Sequence, residues 1–285
     1  MANSSLRAAP RSSLPAARAR TEQADLDFLI HAGHGEFARA IYSPGTAEEA
    51  FYLTIKAFNT AEKYQIPVLI MTDQYLADSL RDIEPLDTNE VKVKRYIISK
   101  EDSKNISGYK RYQFTDSGIS PRAVPSWIAD VVYADSDEHN EEGHITEDAD
   151  IRVRMVGKRF YKKMAGLAQE IEKPVAYNAD AAKTILLGFG STFGVIREAA
   201  EILGRDFGSV HLPQVWPFPV TDLGLLLKGK KNIITVENNA GGQLARLLAR
   251  ETGIKVKCSI LRYDGRPFEP ADIYNEVARR ISKRR

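Results

Sequence analysis

The segment Val68-Leu-Ile-Met-Thr-Asp-Gln-Tyr75 decides the fold of the first part of the chain. Its first four residues form a short continuous apolar run, which is typical of a strand buried on both faces of an α/β sheet. Asp73, Gln74 and Tyr75 follow at the carboxyl end of that strand. Because open parallel sheets bind ligands at the carboxyl ends of their strands, we expect one half of a binding site here.

An amphipathic helix is predicted directly before this strand. Residues 46–49, Thr-Ala-Glu-Glu, form a capping box, in which a hydroxyl and a carboxylate satisfy free N–H groups at a helix start. Phe51, Ile55 and Phe58 recur at helical spacing, so we expect them to form the apolar face. The helix should end at Ile66, because the residue before a proline is disfavoured in the α conformation.

A polar loop with two glycines, His31-Ala-Gly-His-Gly-Glu-Phe37, lies upstream of the helix. The residues His31, His34 and Glu36 raise the possibility of a metal site. Zinc motifs on helices need histidines four residues apart, however, and the glycines indicate a loop. We therefore expect the loop to position a substrate or cofactor. Apolar residues before it predict a short helical face: Leu26, Phe28, Leu29 and Ile30.

Size and composition favour a soluble globular protein of two domains. The chain has 285 residues, of which 43% are hydrophobic and 27% charged. A formal net charge of +2 argues against binding nucleic acid through phosphate neutralisation. No apolar run is long enough to cross a bilayer. We therefore expect a cytoplasmic protein that binds neither nucleic acid nor membrane.

The single cysteine, Cys258, limits the redox chemistry of the chain. It excludes a disulfide within the chain, a four-cysteine zinc site and an iron–sulfur cluster. Any redox metal centre must therefore lie in a partner. Cys258 itself lies in an apolar segment and is expected to pack rather than react. The chain also lacks a G-x-S-x-G nucleophile elbow, so a serine hydrolase is not indicated.

Residues 1–20 differ in composition from the rest of the chain. They are rich in Ala, Ser and Arg, and no acidic residue precedes Glu22. This composition resembles an organellar transit peptide. The alternative is a disordered or non-native leader, which we favour because the segment shows no amphipathic period.

The middle of the chain predicts long loops and one helix. Residues 101–126 are polar and lack periodicity, which is typical of a functional loop or a connector. An acidic loop follows at 135–144. A helical pattern over 149–172 places one set of apolar residues on a single face: Val153, Val156, Phe160, Met164 and Leu167. We expect a first domain over 21–150 and a linker helix within 151–182.

The second domain, residues 183–285, predicts a doubly wound parallel sheet, because strands and helices alternate along it. The predicted strands cover 184–188, 209–212, 232–236 and 256–261. The predicted helices cover 193–203, 223–227, 243–252 and 270–281.

Two turns of this domain follow strands and precede helices. In Gly188-Phe-Gly-Ser-Thr192 the free N–H groups could hold an anion such as phosphate. The glycine spacing departs from a dinucleotide fingerprint, and tight strand–helix packing explains the turn equally well. The turn Glu237-Asn-Asn-Ala-Gly-Gly-Gln243 serves either a domain interface or a ligand, and the residues alone leave both open.

Several unlike motifs, in order, resemble the alpha subunit of 2-oxoacid:ferredoxin oxidoreductases, with the 2-oxoglutarate synthase branch nearest. The resemblance covers about residues 20–278. The motifs that carry it are Arg20-Thr-Glu-Gln-Ala-Asp25, His31–Phe37, Ser43-Pro-Gly45, Glu48–Tyr52, Asp73–Asp78, Tyr109–Tyr112, Gly118–Arg122, Asp135–His139 and Glu237-Asn-Asn239.

The resemblance implies a fold and an activity. The fold is α/β: a partial thiamine-diphosphate pyrimidine-binding domain followed by a transketolase C-terminal-like domain. The activity is oxidative decarboxylation of a 2-oxoacid, with coenzyme A accepting the acyl group and ferredoxin the electrons. Thiamine diphosphate with magnesium and an iron–sulfur cluster would be held mainly by the beta subunit.

The chain also departs from the family pattern. The family has an upstream Tyr-Pro-Ile-Thr-Pro-type motif and a glutamate that activates the aminopyrimidine, and neither is found here. Ser126 stands where the family usually has glycine, and Ala38 where proline is common. We therefore expect the carboxyl-terminal portion of an alpha subunit, inactive without its partners.

The resemblance also suggests site residues, without a catalytic residue or a metal ligand among them. Arg20 and Thr21 are expected to bind the substrate, since a guanidinium fork suits a carboxylate. Residues expected on the cofactor side are His31, His34, Glu36, Asp73 and Gln74. The alternative hypothesis is a non-catalytic assembly or ligand-binding module derived from the same subunit.

Overall fold

The computed structural model describes residues 7–8 and 21–282. Most of the leader predicted at 1–20 thus lies outside the described residues. Arg7–Ala8, strand β1, pairs in parallel with Leu69–Ile70. Within the described ranges, no helix combines the length and the apolar composition that crossing a membrane requires.

The first sheet contains four strands in the order β1-β3-β2-β7. Its further strands are β2 at Ala40–Tyr42, β3 at Val68–Ile70 and β7 at Gln214–Trp216. The first three strands are parallel, and β7 runs antiparallel to β2. The helices of this part are α1 at Leu26–His31, α2 at Ala47–Tyr64 and α3 at Gln74–Asp78. The predicted strand at 68–71 is therefore confirmed, although β3 is only partly buried beyond Val68.

Helix α2 begins where the capping box predicts. The Glu49 N–H donates to Thr46 Oγ1 at 3.1 Å, and the Glu49 carboxylate accepts the N–H of Gly45 at 2.7 Å. The carboxylate thus reaches one residue further back than in the usual box. The helix ends at Gln65, which adopts a left-handed conformation with φ 52°.

The predicted apolar face of α2 is wrong. Phe58 is 46% exposed, and Phe51 and Ile55 are only half-buried. The buried face instead follows the spacing of Leu53, Ala57, Ala61 and Tyr64. The helix therefore carries two apolar stripes. The stripe with alanines packs against the sheet, because small side chains allow a helix to approach a sheet closely. The short helix α1 carries a similar error, because Phe28 is exposed while Leu26, Leu29 and Ile30 are buried.

Residues 79–148, here called the connecting segment, contain little regular structure. Helix α4 covers Lys100–Ser103, and a 3₁₀ turn covers Thr88–Glu90. A small cluster of Tyr109, Ala123 and Ile128 forms a core of its own. The polar loop predicted within 101–126 is therefore ordered, by side chains rather than by regular hydrogen bonding.

The next helix is interrupted by a π turn. Helix α5 covers Ala149–Val156, the π turn Gly157–Lys162 and helix α6 Lys163–Leu167. The helix predicted over 149–172 thus ends five residues early.

The apolar face predicted for this helix is also wrong, since Val153 is 71% exposed. The buried side chains are Met155, Lys158, Lys163 and Leu167. A π turn bonds residues five apart and so rotates the face. That rotation brings Lys158 and Lys163 to the inner side.

The second sheet contains five strands in the order β4-β6-β5-β8-β9. These are β4 at Val175–Tyr177, β5 at Thr184–Phe189, β6 at Phe207–Leu212, β8 at Asn232–Glu237 and β9 at Cys258–Leu261. Its helices are α7 at Thr192–Leu203, α8 at Val220–Leu227, α9 at Gln243–Thr252 and α10 at Pro270–Ser282. All pairings are parallel except β4 with β6, so the predicted doubly wound parallel sheet is confirmed, with one antiparallel edge strand.

The two sheets share a core. On β5, Ile185 and Leu187 belong to a cluster that also contains Leu26 of α1 and Ile41 of β2. Leu186 points to the opposite face, where α7 and α10 pack. Only Pro213 separates β6 from β7, so the chain passes directly from the second sheet to the first. The strand ends of both sheets are therefore held in a fixed relation.

Candidate functional site

The carboxyl end of β3 carries a short hydrogen-bonded network that holds α3. The Thr21 hydroxyl donates to Asp73 Oδ1 at 3.2 Å and accepts the N–H of Tyr75 at 3.3 Å. Asp73 Oδ1 also accepts the N–H of Leu76 at 3.0 Å, which caps α3. Two predicted site residues, Thr21 and Asp73, are thus brought together across 52 residues of sequence.

Two glycines allow the first sheet to approach the end of β5. Gly190 has φ +57°, and a Cβ there would lie 3.0 Å from Gln23 Nε2 and 3.2 Å from Ser43 Oγ. A Cβ on Gly45 would lie 3.0 Å from the Gly190 carbonyl oxygen. Side chains at either position would separate the strand ends. The Ser43-Pro-Gly45 motif is thereby explained by packing.

Gln23 joins the ends of β5 and β8. Its Nε2 donates to the Phe189 carbonyl at 2.7 Å, and its Oε1 accepts the N–H of Asn238 at 3.1 Å. Its own N–H donates to the Asn238 carbonyl at 2.7 Å. The sequence analysis did not single out Gln23, although it lies in the Thr-Glu-Gln motif that carries the family resemblance.

The turn after β8 uses its polar groups internally. The buried Glu237 carboxylate accepts the N–H groups of Leu244 at 2.7 Å and Ala245 at 3.1 Å, and so caps α9. Asn239 Nδ2 donates to this carboxylate at 3.0 Å and to the Gln23 carbonyl at 3.3 Å. The sequence left open whether this turn serves a domain interface or a ligand, and these contacts support the domain interface.

The turn after β5 is also closed on itself. Thr192 Oγ1 donates to the Phe189 carbonyl at 2.8 Å and accepts the Phe189 N–H at 3.2 Å. These bonds favour tight strand–helix packing over an anion site at this turn.

A buried contact between a histidine and a carboxylate, missed by the sequence analysis, links α2 to β6. His211 Nε2 lies 2.9 Å from Glu49 Oε2, and the fully buried imidazole stacks on Phe193 at 4.5 Å. Burial alone raises the pKa of Glu49, but its hydrogen bonds from His211 and Gly45 outweigh burial and lower that pKa overall. No local pattern marks a pair separated by 162 residues.

Two adjoining cavities open beside α3, and we call them together the strand-end cleft. One has a volume of about 490 Å³ and is lined by Thr21, Gln74, Tyr75, Asp78, Ser79 and Pro267. The other, about 520 Å³, is also lined by Tyr75 and reaches Ser191 and Arg197 at the start of α7 and within it. An aromatic ring, an amide and hydroxyls therefore converge on one opening, as small-molecule sites require.

The predicted residues of the histidine loop lie elsewhere. His31, His34 and Glu36 are exposed, and none of them lines the strand-end cleft. His31 Nδ1 lies 2.8 Å from the Asp27 carbonyl and its Nε2 lies 3.1 Å from an Arg250 nitrogen. The structure thus brings Thr21, Asp73 and Gln74 together and leaves the loop beside α9. Arg20 lies outside the described residues.

The described residues contain no group of three or more His, Cys, Asp or Glu side chains that would hold a metal ion. Two carboxylates near the cleft are engaged in other bonds. Asp73 caps α3, and Asp78 accepts a hydrogen bond from Gln74.

Family comparison explains the same architecture. Residues 5–158 match the thiamine-diphosphate-binding family model of pyruvate flavodoxin/ferredoxin oxidoreductases, and residues 182–273 match core domain II of pyruvate:ferredoxin oxidoreductase. The chain belongs to this oxidoreductase family. The resemblance inferred from the motifs and the expected fold class are thereby confirmed.

Curated relatives of the chain include alpha subunits. One from Sulfurisphaera tokodaii, "2-oxoacid:ferredoxin oxidoreductase 1, subunit alpha", is 40% identical over 92% of the chain and 41% of the relative. One from Aeropyrum pernix, "2-oxoacid:ferredoxin oxidoreductase 2, subunit alpha", is 36% identical over 96% of the chain and 42% of the relative. The chain therefore spans about two-fifths of the length of these relatives.

A solved structure supports the arrangement of both sheets. The 2-oxoglutarate:ferredoxin oxidoreductase from Magnetococcus marinus, with 2-oxoglutarate, coenzyme A and succinyl-CoA bound, superposes with a TM-score of 0.83 at 30% identity. The match covers 96% of this chain and 47% of that one. The arrangement of the two parts is therefore shared with an enzyme of this family.

Proposed function

We propose that the chain works as part of the alpha subunit of a 2-oxoacid:ferredoxin oxidoreductase that uses 2-oxoglutarate. The reaction is oxidative decarboxylation to an acyl-CoA, with electrons passed to ferredoxin. One observation carries the proposal: nearly the whole chain superposes on an enzyme whose bound molecules are 2-oxoglutarate, coenzyme A and succinyl-CoA. Because coenzyme A and ferredoxin are then its co-substrates, we place the enzyme in the cytoplasm.

The strand-end cleft fits one wall of a thiamine-diphosphate site. Tyr75 and Gln74 offer an aromatic surface and an amide beside β3, which suits a planar pyrimidine with hydrogen-bonding edges. Thiamine diphosphate, when bound, supplies the carbanion chemistry of decarboxylation. Following the family resemblance, we assign magnesium, the diphosphate and the iron–sulfur cluster mainly to the beta subunit, and the single cysteine of this chain agrees with that assignment.

Within this proposal Thr21 and Asp73 are positioning residues. Their hydrogen bonds fix the start of α3 and so orient Tyr75 and Gln74 toward the cleft. Arg20 is proposed to bind the substrate carboxylate, since it directly precedes Thr21 and carries a guanidinium fork. The exposed residues His31, His34 and Glu36 are proposed to form a wall toward the cofactor or a subunit contact.

The test is viologen reduction by the assembled enzyme. The chain is co-produced with the beta subunit and with a chain that supplies the upstream part of the pyrimidine-binding domain. The complex is loaded with thiamine diphosphate, magnesium and coenzyme A, and offered 2-oxoglutarate, pyruvate or 2-oxoisovalerate. We expect reduction that depends on 2-oxoglutarate and on both subunits, and none by this chain alone. Reduction with pyruvate only would contradict the substrate assignment.

A loaded complex that reduces viologen with none of the three acids would contradict the enzymatic proposal. That result would favour the alternative, a non-catalytic assembly or ligand-binding module.

A further inference from the structure

A basic cavity lies between the end of α2, the connecting segment and the helix with the π turn. Its volume is about 410 Å³, and none of its lining residues also lines the strand-end cleft. The lining includes an unusual set of cationic side chains: Arg111, Arg122, Lys158, Arg159 and Lys163. The proposed reaction uses none of them.

Two of these cations are buried lysines without a carboxylate partner. Lys158 and Lys163 are 4% and 7% exposed. Lys158 Nζ donates to the Tyr112 carbonyl, and Lys163 Nζ donates to the Gln65 carbonyl at 3.2 Å. Among the described residues, no carboxylate lies within ion-pair distance of either ammonium. Since an ammonium has three donors, each lysine keeps donors for a further partner.

The guanidinium groups show which of the cationic charges are already balanced. Arg159 pairs with Glu138 through two hydrogen bonds of 2.7 Å, and Arg122 pairs with Glu62. Arg111 donates to the Gln65 amide oxygen at 3.0 Å, and in the described part of the chain it has no ion pair. Three cations, Arg111 and the two lysines, therefore lack a paired carboxylate.

Other buried polar atoms beside the cavity also lack hydrogen-bond partners. Arg122 Nε and His139 Nδ1 are buried and find no hydrogen-bond partner among the described residues. The His139 ring packs against Tyr112 in a tilted arrangement, with 3.7 Å between the ring centres. The one carboxylate that lines the cavity without an ion pair, Asp137, is exposed to solvent. The cavity thus has surplus buried donors and a shortage of acceptors.

Burial of charge without a partner is costly, so a purely structural role for these lysines is poorly explained. Desolvation lowers the pKa of Lys158 to about 7, and the charge of Lys163 adds to this effect. Desolvation likewise lowers the pKa of Lys163 to about 8. An anion in the cavity would restore both charges and satisfy the free donors.

We propose that the basic cavity binds a small phosphate dianion, either free phosphate or the phosphoryl group of a small phosphate monoester. Up to three cations without a carboxylate partner match the two negative charges of a phosphate dianion better than the one charge of a carboxylate ligand. Lysine and arginine are the usual protein ligands of phosphate oxygens. The volume lies within the range of small-ligand sites and leaves room for the organic part of an ester. This site does not depend on the function proposed above.

Calorimetric titration of the full chain, with the subunits that co-purify with it, tests the site. Inorganic phosphate and glycerol 3-phosphate are the two probes, and tighter binding of the ester identifies an ester as the natural source. Lys158→Met and Lys163→Met keep the length of the side chain and remove its charge. We expect each to weaken binding about tenfold or more, the size typical of a charged hydrogen bond.

Lys162→Met is the matched control. Lys162 is an exposed neighbour on the same π turn, and its Nζ donates to the Thr115 carbonyl at 3.0 Å. Its replacement should leave phosphate affinity within about twofold of the unmodified chain, as for a rim charge. Binding of neither probe would overturn the proposal, as would equal weakening by all three variants.

Proton uptake gives a second readout that does not require a stable variant. Sulfate stays a dianion between pH 7 and 9, so titration in buffers of different ionisation enthalpy reports protons taken up by the protein alone. We expect uptake at pH 8, because a bound dianion recharges Lys158 and Lys163. The other charged or titratable groups around Lys158 are Lys163, Arg111, Arg122, Arg159, Glu141, Asp137 and His139. Sulfate binding without proton uptake would contradict the assignment to the lysines.

Discussion

The second sheet and the connecting segment reach order by different means. All six residues of β5 are buried and pair with β6, the first four also pair with β8, and helices cover both faces. The connecting segment has α4, a 3₁₀ turn and an isolated bridge between His139 and Ile145. It is held instead by single side chains bonded to distant backbone, such as Tyr109 and Lys158. Layered packing leaves a periodic signal in the sequence, whereas such point contacts do not.

The largest effect on stability is expected at Glu237, whose buried carboxylate caps α9 beside the second sheet. Glu237→Ala leaves the N–H groups of Leu244 and Ala245 without their acceptor and removes one of the two acceptors of the Asn239 amide. We expect the free energy of unfolding to fall by about 3–5 kcal/mol, measured by urea denaturation.

Glu251→Ala on the same helix is the control. Its partly exposed carboxylate pairs with Arg250 at 2.7 Å, and its loss should cost less than about 1 kcal/mol. Equal losses of unfolding free energy in both variants would show that the buried Glu237 cap stabilises the chain no more than an exposed ion pair.

The pH dependence of the unfolding free energy tests the buried lysines beside the connecting segment. The pKa values of Lys158 and Lys163 are lowered by burial to about 7 and about 8 in the folded chain. The unfolded chain, with an ordinary lysine pKa, therefore binds more protons between pH 7 and 9, so stability should rise with pH. We expect a gain of about 1–3 kcal/mol, less than the full shifts imply because solvent screens part of the charge.

Denaturation at low ionic strength, without phosphate or sulfate, measures this slope at pH 7 and 9. Lys158→Met should flatten it, and Lys162→Met should not. Stability that stays constant or falls over this range would contradict the burial of uncompensated lysines.

A smaller effect is expected at Tyr109, inside the connecting segment. Its hydroxyl donates to the Pro121 carbonyl at 3.1 Å and accepts the N–H of Ala123 at 3.0 Å. Tyr109→Phe removes both bonds and should cost about 1–2 kcal/mol. Hydrogen exchange should quicken at Ala123 and stay unchanged in β5. Tyr133→Phe, at a largely exposed ring of the same segment, is the control, and quicker exchange in β5 would contradict independent ordering of the segment.

The fold was predictable where hydrophobic layers repeat. The strands of the second sheet and the bounds of α2 follow from apolar runs, the capping box and Pro67. The packed face of α2 was not predictable, because the large residues Phe51 and Phe58 compete with a stripe containing small alanines. The π turn also escaped prediction, since it changes the period that the pattern assumes.

The candidate site was predictable only in part. Asp73 and Gln74 were predicted as site residues because open parallel sheets bind ligands at the carboxyl ends of their strands. Gln23 and His211 act through partners more than 150 residues away, and no local spacing encodes such pairs. His34 and Glu36 were chosen for their chemistry, and the sequence gives no measure of where their loop lies relative to the cleft.

The central claim is that the strand-end cleft forms one wall of the active site. Thr21→Val in the assembled enzyme tests it most directly, since Arg20, which is proposed to bind the substrate carboxylate, directly precedes Thr21. This change keeps the side-chain shape and removes the hydroxyl that joins Asp73 to Tyr75. Thr60→Val is the matched control, because Thr60 is also buried and its hydroxyl lies 3.1 Å from that of Tyr42, away from the cleft. Both variants should lose about 1 kcal/mol of unfolding free energy.

The deciding measurement is the KM for 2-oxoglutarate in viologen reduction. We predict that Thr21→Val raises this KM about tenfold, equivalent to about 1.4 kcal/mol, while Thr60→Val leaves it unchanged. An unchanged KM in Thr21→Val, with stability lowered as in Thr60→Val, would show that the cleft supports the fold and not the substrate.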